Sequence, residues 1–317
     1  MQHGIYEGLE QMPVVIQPET DGERSLDALL DWCAERRDWL DENLHTQGAL
    51  LFRGYDISSP AEFNRFAAAQ GTPLRSYVGG DSPRDAVANK IYTSTEFEAD
   101  LEIYLHNELS YAGWYPSRVF FFCQVAPGSG GPTTIGDSRR ILETMPPEIA
   151  DKFAQKGVAY IQNLHGGAGT GRSWQETYET DDRSVAEAHC REHGVEFKWT
   201  DHGLRTRIVR CGVIEHPVTH AHAWFNQADQ LHALLACARV DPAQASEMDE
   251  ERWPCHSTYG DGTEITLDEL HAIRRVFRDV ETVFPWTQGD VLMLDNLITA
   301  HGRKPFHGER RILVAMS

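Results

Sequence analysis

Residues 292–316 read LMLDNLITAHGRKPFHGERRILVAM, and this stretch says more about the fold than any other. Two apolar runs, over residues 290–299 and 310–316, flank the polar, glycine-containing segment GRKPFHG. Short apolar runs bounded by turn residues are typical of buried β-strands. The stretch therefore predicts two strands joined by a turn.

Further strands and helices are predicted upstream of this stretch. The segments ALLFRGY and RVFFFCQVA, residues 49–55 and 118–126, are short apolar runs, and the second leads into the turn sequence PGSGGPT. Apolar residues at helical spacing predict helices over residues 21–44, 59–70, 135–156 and 182–193. For the helix at 59–70, Ser59 is the expected N-cap and Pro60 the first helical residue.

These elements indicate a mixed, β-dominated fold. Late strands with helices packed outside favour a β-sandwich or an open barrel. The 317 residues contain no repeat and no low-complexity linker, so we expect one domain over residues 1–317. Within it, residues 1–45 are expected to be a helical lead-in to a core of about residues 49–317.

The charge of the chain excludes some classes of partner. The formal net charge is −19, and such an acidic surface repels nucleic-acid phosphates and anionic lipids. No run approaches the roughly 18 to 20 apolar residues that span a bilayer. We therefore expect neither a nucleic-acid nor a membrane partner.

The N-terminus and the cysteines predict a cytoplasmic protein. The start, MQHGIYEGLEQM, lacks the basic and apolar regions of a secretory signal. The six cysteines form no C-x-x-C pair, which indicates reduced thiols rather than disulfides or a zinc knuckle.

The segment YLHNEL contains the first candidate metal ligands. If it is extended, His106 and Glu108 project from the same face, because side chains alternate along a strand. His301, directly after the apolar run of residues 290–299, is the best third ligand. Two histidines and one carboxylate on one face of an octahedron are characteristic of Fe(II) oxygenases.

An arginine pair after this histidine suits the cosubstrate 2-oxoglutarate. Its far carboxylate needs a fixed cation, and the planar fork of arginine binds a carboxylate through two hydrogen bonds. Strand alternation lets only one of Arg310 and Arg311 face the cavity and does not say which.

Several other residues have two interpretations. Trp224, Phe225 and Asn226 either line a substrate pocket or pack in the core. Arg207, like Arg205 before it, either binds a substrate carboxylate or is exposed. His220 and His222 are a rival metal pair. Asp295 and Asn296 either orient metal ligands or form a turn. Residues 166–171 and 77–95 are two possible lids over the site.

Four motifs together resemble the taurine-dioxygenase-like (TauD/TfdA) superfamily, and within it the SyrP-like amino-acid hydroxylases. They are HNE (residues 106–108), GGPTTIGDSR (130–139), SWQETY (173–178) and the terminal block 292–316. The likeness runs from about residue 49 to the C-terminus.

The resemblance implies a double-stranded β-helix (jelly-roll) core with iron bound by His106, Glu108 and His301. It also implies Arg311 as the partner of the far carboxylate of 2-oxoglutarate, with Thr133 as a hydroxyl that helps to bind it. Many members have aspartate where this chain has Glu108. A glycine or alanine there would have indicated a halogenase.

The implied activity is an oxidation with Fe(II), 2-oxoglutarate and O₂ that releases succinate and CO₂. The leading hypothesis is hydroxylation of an unactivated C–H of an amino acid, free or presented by a carrier protein, in specialised metabolism. Alternatives are desaturation or cyclisation at the same iron, a catalytically silent binding protein of this fold, and a zinc hydrolase with the same ligands. The last leaves Arg311 and Thr133 without a role.

Overall fold

The late apolar runs lie at the centre of the largest sheet. A computed structural model describes residues 1–7, 12–76, 86–88, 90–94, 98–236 and 253–317. Its strands are β1 (Gln2–Ile5), β2 (Val14–Gln17), β3 (Ala49–Phe52), β4 (Ala86–Ala88), β5 (Ile91–Thr93), β6 (Ile103–His106), β7 (Arg118–Val125), β8 (Ser129–Gly130), β9 (Thr133–Asp137), β10 (Val158–His165), β11 (Glu196–Thr200), β12 (Gly203–Arg210), β13 (Val213–Glu215), β14 (His222–Trp224), β15 (Cys255–Tyr259), β16 (Thr282–Val283), β17 (Val291–Asp295), β18 (Thr299–Arg303), β19 (Phe306–His307) and β20 (Arg311–Met316).

Helices lie mainly outside the sheets. They are α1 (Leu26–Glu35), α2 (Arg37–Gln47), α3 (Pro60–Ala68), α4 (Ser138–Thr144), α5 (Pro147–Lys156), α6 (Trp174–Tyr178), α7 (Arg183–Glu192), α8 (Ala228–Leu231), α9 (Ala233–Ala236) and α10 (Leu267–Val280), with a 3₁₀ turn at Asp21–Glu23. Within the described residues, no helix is long and apolar enough to cross a membrane.

The main sheet has the strand order β1-β2-β3-β17-β7-β20-β5-β4. Neighbours are antiparallel except β2 and β3. Both faces are buried: Phe120 and Phe122 pack on the side of α1 to α3, whereas Phe121 points into the opposite core. Two buried faces explain why its central strands are continuous apolar runs rather than alternating ones.

A smaller sheet, β16-β9-β18-β6, faces the main sheet and encloses the second core with it. That core joins apolar side chains of the main sheet to those of the smaller one, including Leu292, Val314, Leu105, Ile135 and Ala300. Two facing, largely antiparallel sheets with helices outside constitute the predicted β-dominated jelly-roll fold. A third sheet, β11-β12-β10-β15, lies in the chain between β9 and β17.

Three predicted elements have different boundaries in the structure. The single helix expected over residues 21–44 is two helices, α1 and α2, and the lead-in also contributes β1 and β2 to the main sheet. The helix expected from residue 135 starts as strand β9, because the Asp137 side chain accepts a hydrogen bond from the Arg139 backbone and caps α4 only there. The strand expected over residues 290–299 ends at Asp295.

Other predictions are confirmed. Ser59 caps α3 through a capping box with Glu62, and Pro60 is its first residue. The predicted strand at 118–126 is β7, and the helix at 182–193 is α7. The described cysteines are all free thiols.

Gly48 connects helix α2 to the region of the site. It ends the helix with φ of 80°, a conformation that favours glycine. Its carbonyl accepts hydrogen bonds from the Asp295 backbone and the Thr299 hydroxyl, both at 2.9 Å. A Cβ here would collide with that hydroxyl, so a larger residue would push the end of α2 away from the connection between β17 and β18.

Candidate metal centre

Three predicted ligand residues converge where β6 and β18 pair. His301 lies opposite His106 in the strand register, and their ring centroids are 4.3 Å apart. His301 Nε2 lies 3.5 Å from Glu108 Oε2. One donor atom from each of the three residues lies within 4.8 Å of the others, so they can share one ion. Glu108 and His301 are buried and His106 is half-buried.

The structure corrects how two of these side chains are placed. His301 does not follow the strand of residues 290–299 but lies in the middle of a separate strand, β18. The HNE segment is not fully extended either: β6 ends at His106, and a turn follows in which Leu109 has φ of 55°. Glu108 therefore approaches His106 through a turn, not through strand alternation.

The two histidines have different surroundings. His106 Nδ1 lies 2.9 Å from the Tyr104 carbonyl, which can only accept, so Nδ1 bears the proton and Nε2 keeps its lone pair for a metal. His301 packs against the Phe121 ring at 4.9 Å. Its buried Nδ1 has no hydrogen-bond partner among the described residues.

This donor set fits Fe(II). Two imidazoles and one carboxylate on one side of an ion leave positions open on the other side. The buried Glu108 carboxylate beside two imidazole rings suits a divalent cation, which would offset the cost of burying its negative charge.

Two other histidine clusters in the described residues are less suited to a metal. In the first, His45, His216 and Asp295, the nitrogens of His216 are already used: Nε2 lies 3.0 Å from Asp295 Oδ2 and Nδ1 accepts from two backbone amides. Asp295 therefore pairs with a buried histidine, His216. The sequence analysis did not identify His216, because no recognisable motif surrounds it. The second cluster, His232, His256 and Glu264, includes a largely exposed carboxylate.

A cationic cavity adjoins the three ligands. Its lining residues are Ser94, Ile103, His106, Phe121, Thr133, His301, Gly302, Arg303 and Arg310. The Arg310 guanidinium donates to the Gly131 carbonyl at 2.9 Å and approaches the Thr133 hydroxyl at 3.4 Å. Burial, and then the charge of Arg303, lower the pKa of Arg310 to about 10, so it remains charged at neutral pH.

Arg310, not Arg311, faces the cavity. Arg311 is exposed, because the strand β20 that begins with it turns the next side chain, Ile312, into the core. The structure therefore places Arg310, and not Arg311, beside the predicted ligands, and which arginine binds 2-oxoglutarate stays a prediction. Alternation had left both arginines open, and the backbone at the start of β20 decides between them.

Thr133, expected in the GGPT turn, is the first residue of β9 and lines the cavity. It is buried and also accepts a hydrogen bond from Trp286 Nε1 at 3.1 Å. Trp286, Phe121 and Ser94 were missed by sequence reasoning, since isolated aromatic and hydroxyl residues give no signal of their own.

The four predicted substrate residues do not line this cavity. Trp224 packs against Phe153, and Phe225 against Tyr115. Asn226 caps the local backbone through the Gly212 carbonyl and the Ala228 amide. The core-packing interpretation holds for these three.

Arg207 and the glycine loop 166–171 also lie apart from the cavity beside the ligands. Arg207 lies on β12 in the third sheet, where it pairs with Glu196 at 3.2 Å. The glycine loop 166–171 borders a different cavity, of ≈ 340 Å³, that shares no lining residue with the metal site. Much of the segment 77–95 lies outside the described residues.

Comparisons with known proteins agree with this geometry. Residues 9–316 match the family described as "Taurine catabolism dioxygenase TauD, TfdA family". The chain is 35% identical over 278 residues to the dapdiamide synthesis protein DdaC of Enterobacter agglomerans, covering 87% of this chain and 84% of DdaC. It is 31% identical over 290 residues to a clavaminate synthase-like protein of Arabidopsis thaliana, covering 89% and 84%.

Solved structures share the fold at low sequence identity. PvcB of Pseudomonas aeruginosa aligns with a TM-score of 0.52 and 16% identity over 96% of this chain and 84% of that one. PvcB is described as an Fe, alpha-ketoglutarate dependent oxygenase from an isonitrile synthetic pathway. A putative alpha-ketoglutarate dependent 2,4-D dioxygenase from Burkholderia xenovorans aligns with a TM-score of 0.53 and 13% identity, covering 100% and 97%.

Proposed function

The chain belongs to the TauD/TfdA dioxygenase family, and on that premise we propose that it hydroxylates an unactivated C–H of an amino-acid-like small molecule. It is a 2-oxoglutarate-dependent non-haem iron oxygenase, with Fe(II), 2-oxoglutarate and O₂ as its requirements. The proposed metal ligands are His106, Glu108 and His301, and the proposed anchor of the cosubstrate is Arg310.

One observation carries the cosubstrate assignment: among the described residues, the half-buried guanidinium of Arg310 beside the ligands has only neutral partners. Within the described residues, Arg310 bonds to the Gly131 carbonyl and to the hydroxyls of Thr133 and Ser94, and no carboxylate lies within ion-pair distance. A buried arginine without a counter-ion is costly, and a bound carboxylate offsets that cost. A hydrolase that uses the same ligands has no need of such an anion site.

The bound iron and cosubstrate supply the oxidising chemistry, in which O₂ is consumed, 2-oxoglutarate leaves as succinate and CO₂, and one oxygen atom enters the substrate. The residues of the chain hold these groups in place. His106 presents Nε2 because the Tyr104 carbonyl keeps the proton on Nδ1. Thr133, itself fixed by Trp286, supports the guanidinium of Arg310.

The walls of the site exclude water. Phe121 and Ile103 are buried and line the cavity beside the ligands. The cavity measures ≈ 30 Å³. A 2-oxoglutarate carboxylate bound here would replace the neutral partners of Arg310.

The substrate class is supported by relatives and by the motifs, not by a contact. DdaC acts in dapdiamide synthesis and PvcB in an isonitrile synthetic pathway. The terminal block and HNE resemble amino-acid hydroxylases. We propose an amino acid, free or carried by a protein, as the substrate in a pathway of specialised metabolism.

The decisive experiment is an aerobic screen of free and carrier-bound amino acids with Fe(II) and 2-oxoglutarate. Succinate formed together with a product that has gained one oxygen atom supports hydroxylation. A product that has lost two hydrogens identifies desaturation instead. Failure of the chain to bind 2-oxoglutarate in the presence of Fe(II) would overturn the proposal.

A further inference from the structure

The turn that holds Glu108 is not fixed by strand pairing. Strand β6 ends at His106, and the next two residues, Asn107 and Glu108, lead to a left-handed residue, Leu109. The position of the carboxylate therefore depends on what binds this turn. Glutamate also has one more rotatable bond than aspartate, so holding it in a single conformation costs more side-chain entropy.

A single side chain, Asn296, binds both backbone groups of Glu108. Its Oδ1 accepts from the Glu108 amide at 2.6 Å, and its Nδ2 donates to the Glu108 carbonyl at 3.0 Å. Nδ2 donates also to the Pro116 carbonyl at 2.8 Å. Asn296 is fully buried, so no water competes for these bonds.

Asn296 is itself held rigidly. It directly follows β17, and its amide donates to the Ser117 carbonyl at 2.9 Å. Its carbonyl accepts from Asn107 Nδ2 at 2.7 Å. From the other side of the turn, Gln227 Nε2 donates to the Asn107 carbonyl at 2.9 Å.

We propose that Asn296 is a positioning residue that fixes Glu108 for metal ligation and thereby sets the affinity for Fe(II). Because the Asn296 side-chain amide binds both the N–H and the C=O of Glu108, it prevents this backbone segment from rotating. The Glu108 carboxylate therefore stays directed at His301. The sequence interpretation of Asn296 as a simple turn former does not account for three bonds to two other segments. The inference rests on the proposed function, since it requires that Glu108 bind the metal.

The test compares Asn296→Ala with Asn163→Ala, a matched control variant in another part of the fold. Asn163 also uses both ends of its amide, donating to the Trp253 carbonyl at 2.7 Å and accepting from Arg205 at 3.2 Å, but it lies in the third sheet. Fe(II) binding to the full chain is titrated anaerobically, and thermal unfolding is recorded for each variant. Both variants lose hydrogen bonds, so the unfolding temperature of both should fall.

Only Asn296→Ala is expected to lose metal affinity, by about 10- to 100-fold, the effect of removing groups that orient a ligand. Equal Fe(II) affinity in wild type, Asn296→Ala and Asn163→Ala overturns the inference. If Asn296→Ala does not fold, Asn296→Asp replaces it, because aspartate keeps the acceptor for the Glu108 amide and loses both donors. Weakened binding in that variant supports the inference, and wild-type binding overturns it.

His301→Ala separates this test from the proposed function. If His301→Ala binds Fe(II) as wild type does, the three-ligand site itself is wrong. If it loses binding while Asn296→Ala does not, the site stands and only the role of Asn296 fails.

Discussion

Two short segments of this chain, HNE at 106–108 and HAH at 220–222, look alike as sequences and differ as structures. Each places two possible metal ligands two residues apart. Glu108 is buried and meets a third ligand, His301, on a neighbouring strand. His220 and His222 are exposed at a surface hairpin, where His220 pairs with Glu215 at 2.6 Å.

The difference shows what a ligand motif needs beyond its residues. Among the described residues, no third ligand joins the exposed pair His220 and His222. A buried set, held by hydrogen bonds from other segments, is organised before the metal arrives. The following experiments test whether this contrast in structure is also a contrast in function.

The largest effect is expected from His301→Ala. Removing a direct ligand should weaken Fe(II) binding by at least about 100-fold, more than loss of an orienting group does, and succinate formation should fall to background. Metal titration and a succinate assay measure both. Retained iron binding would place the metal elsewhere and remove the contrast with HAH.

Arg310→Ala should come next. Charge-assisted hydrogen bonds contribute about 1.5 to 3 kcal/mol, which corresponds to about 10- to 100-fold in the Kd of 2-oxoglutarate. Arg311→Ala, one residue along and exposed, should leave that Kd within about two-fold. Equal losses in both variants, measured by equilibrium binding with Fe(II) present, would contradict the assignment of Arg310.

Thr133→Val should have a smaller effect. It keeps the shape of the side chain but removes the hydroxyl that meets Arg310 and Trp286. One neutral hydrogen bond is worth about 0.5 to 1.5 kcal/mol, so the Kd of 2-oxoglutarate should rise by about 2- to 10-fold. An unchanged Kd would mean that the hydroxyl serves Trp286 alone.

The smallest effect is expected from replacing both histidines of HAH. The double variant His220→Ala and His222→Ala should retain wild-type Fe(II) affinity, and its free energy of unfolding should change by no more than about 0.5 kcal/mol, as for other exposed positions. Metal titration and chemical denaturation test this. A loss of iron binding would show that the exposed pair does hold a metal.

Local patterns predicted much of the fold. The apolar runs gave the two central strands of the main sheet, and Ser59 with Pro60 gave the start of α3, because caps and buried runs depend on neighbouring residues. The strand β9 was mistaken for the beginning of a helix. Residues 135–137 (Ile, Gly and Asp) are weak helix formers that pair with β18 as a strand, and a single segment carries no record of its partner.

Within the site, the structure brings the three predicted ligand residues together but turns Arg310, rather than Arg311, toward the cavity. His106, Glu108, His301 and Thr133 were found from chemistry and motif. Arg311 was chosen over Arg310 because the resemblance carries a position in a motif, whereas the side that a residue faces depends on where the strand begins. Trp224, Phe225 and Asn226 are residue types that often line ligand pockets, but in the structure they are buried among other parts of the protein.

The sequence by itself determined the ligand types, the apolar runs and the acidic surface, since these follow from the residues and their immediate spacing. Only the tertiary structure decided that His106 lies opposite His301, that Arg310 rather than Arg311 faces the cavity, and that Asn296 binds the turn that holds Glu108. These contacts join residues far apart in the chain, as with Asn296 and Glu108, which are 188 positions apart. Such pairs meet only after the sheets have packed, because burial and register, not local propensity, bring them together.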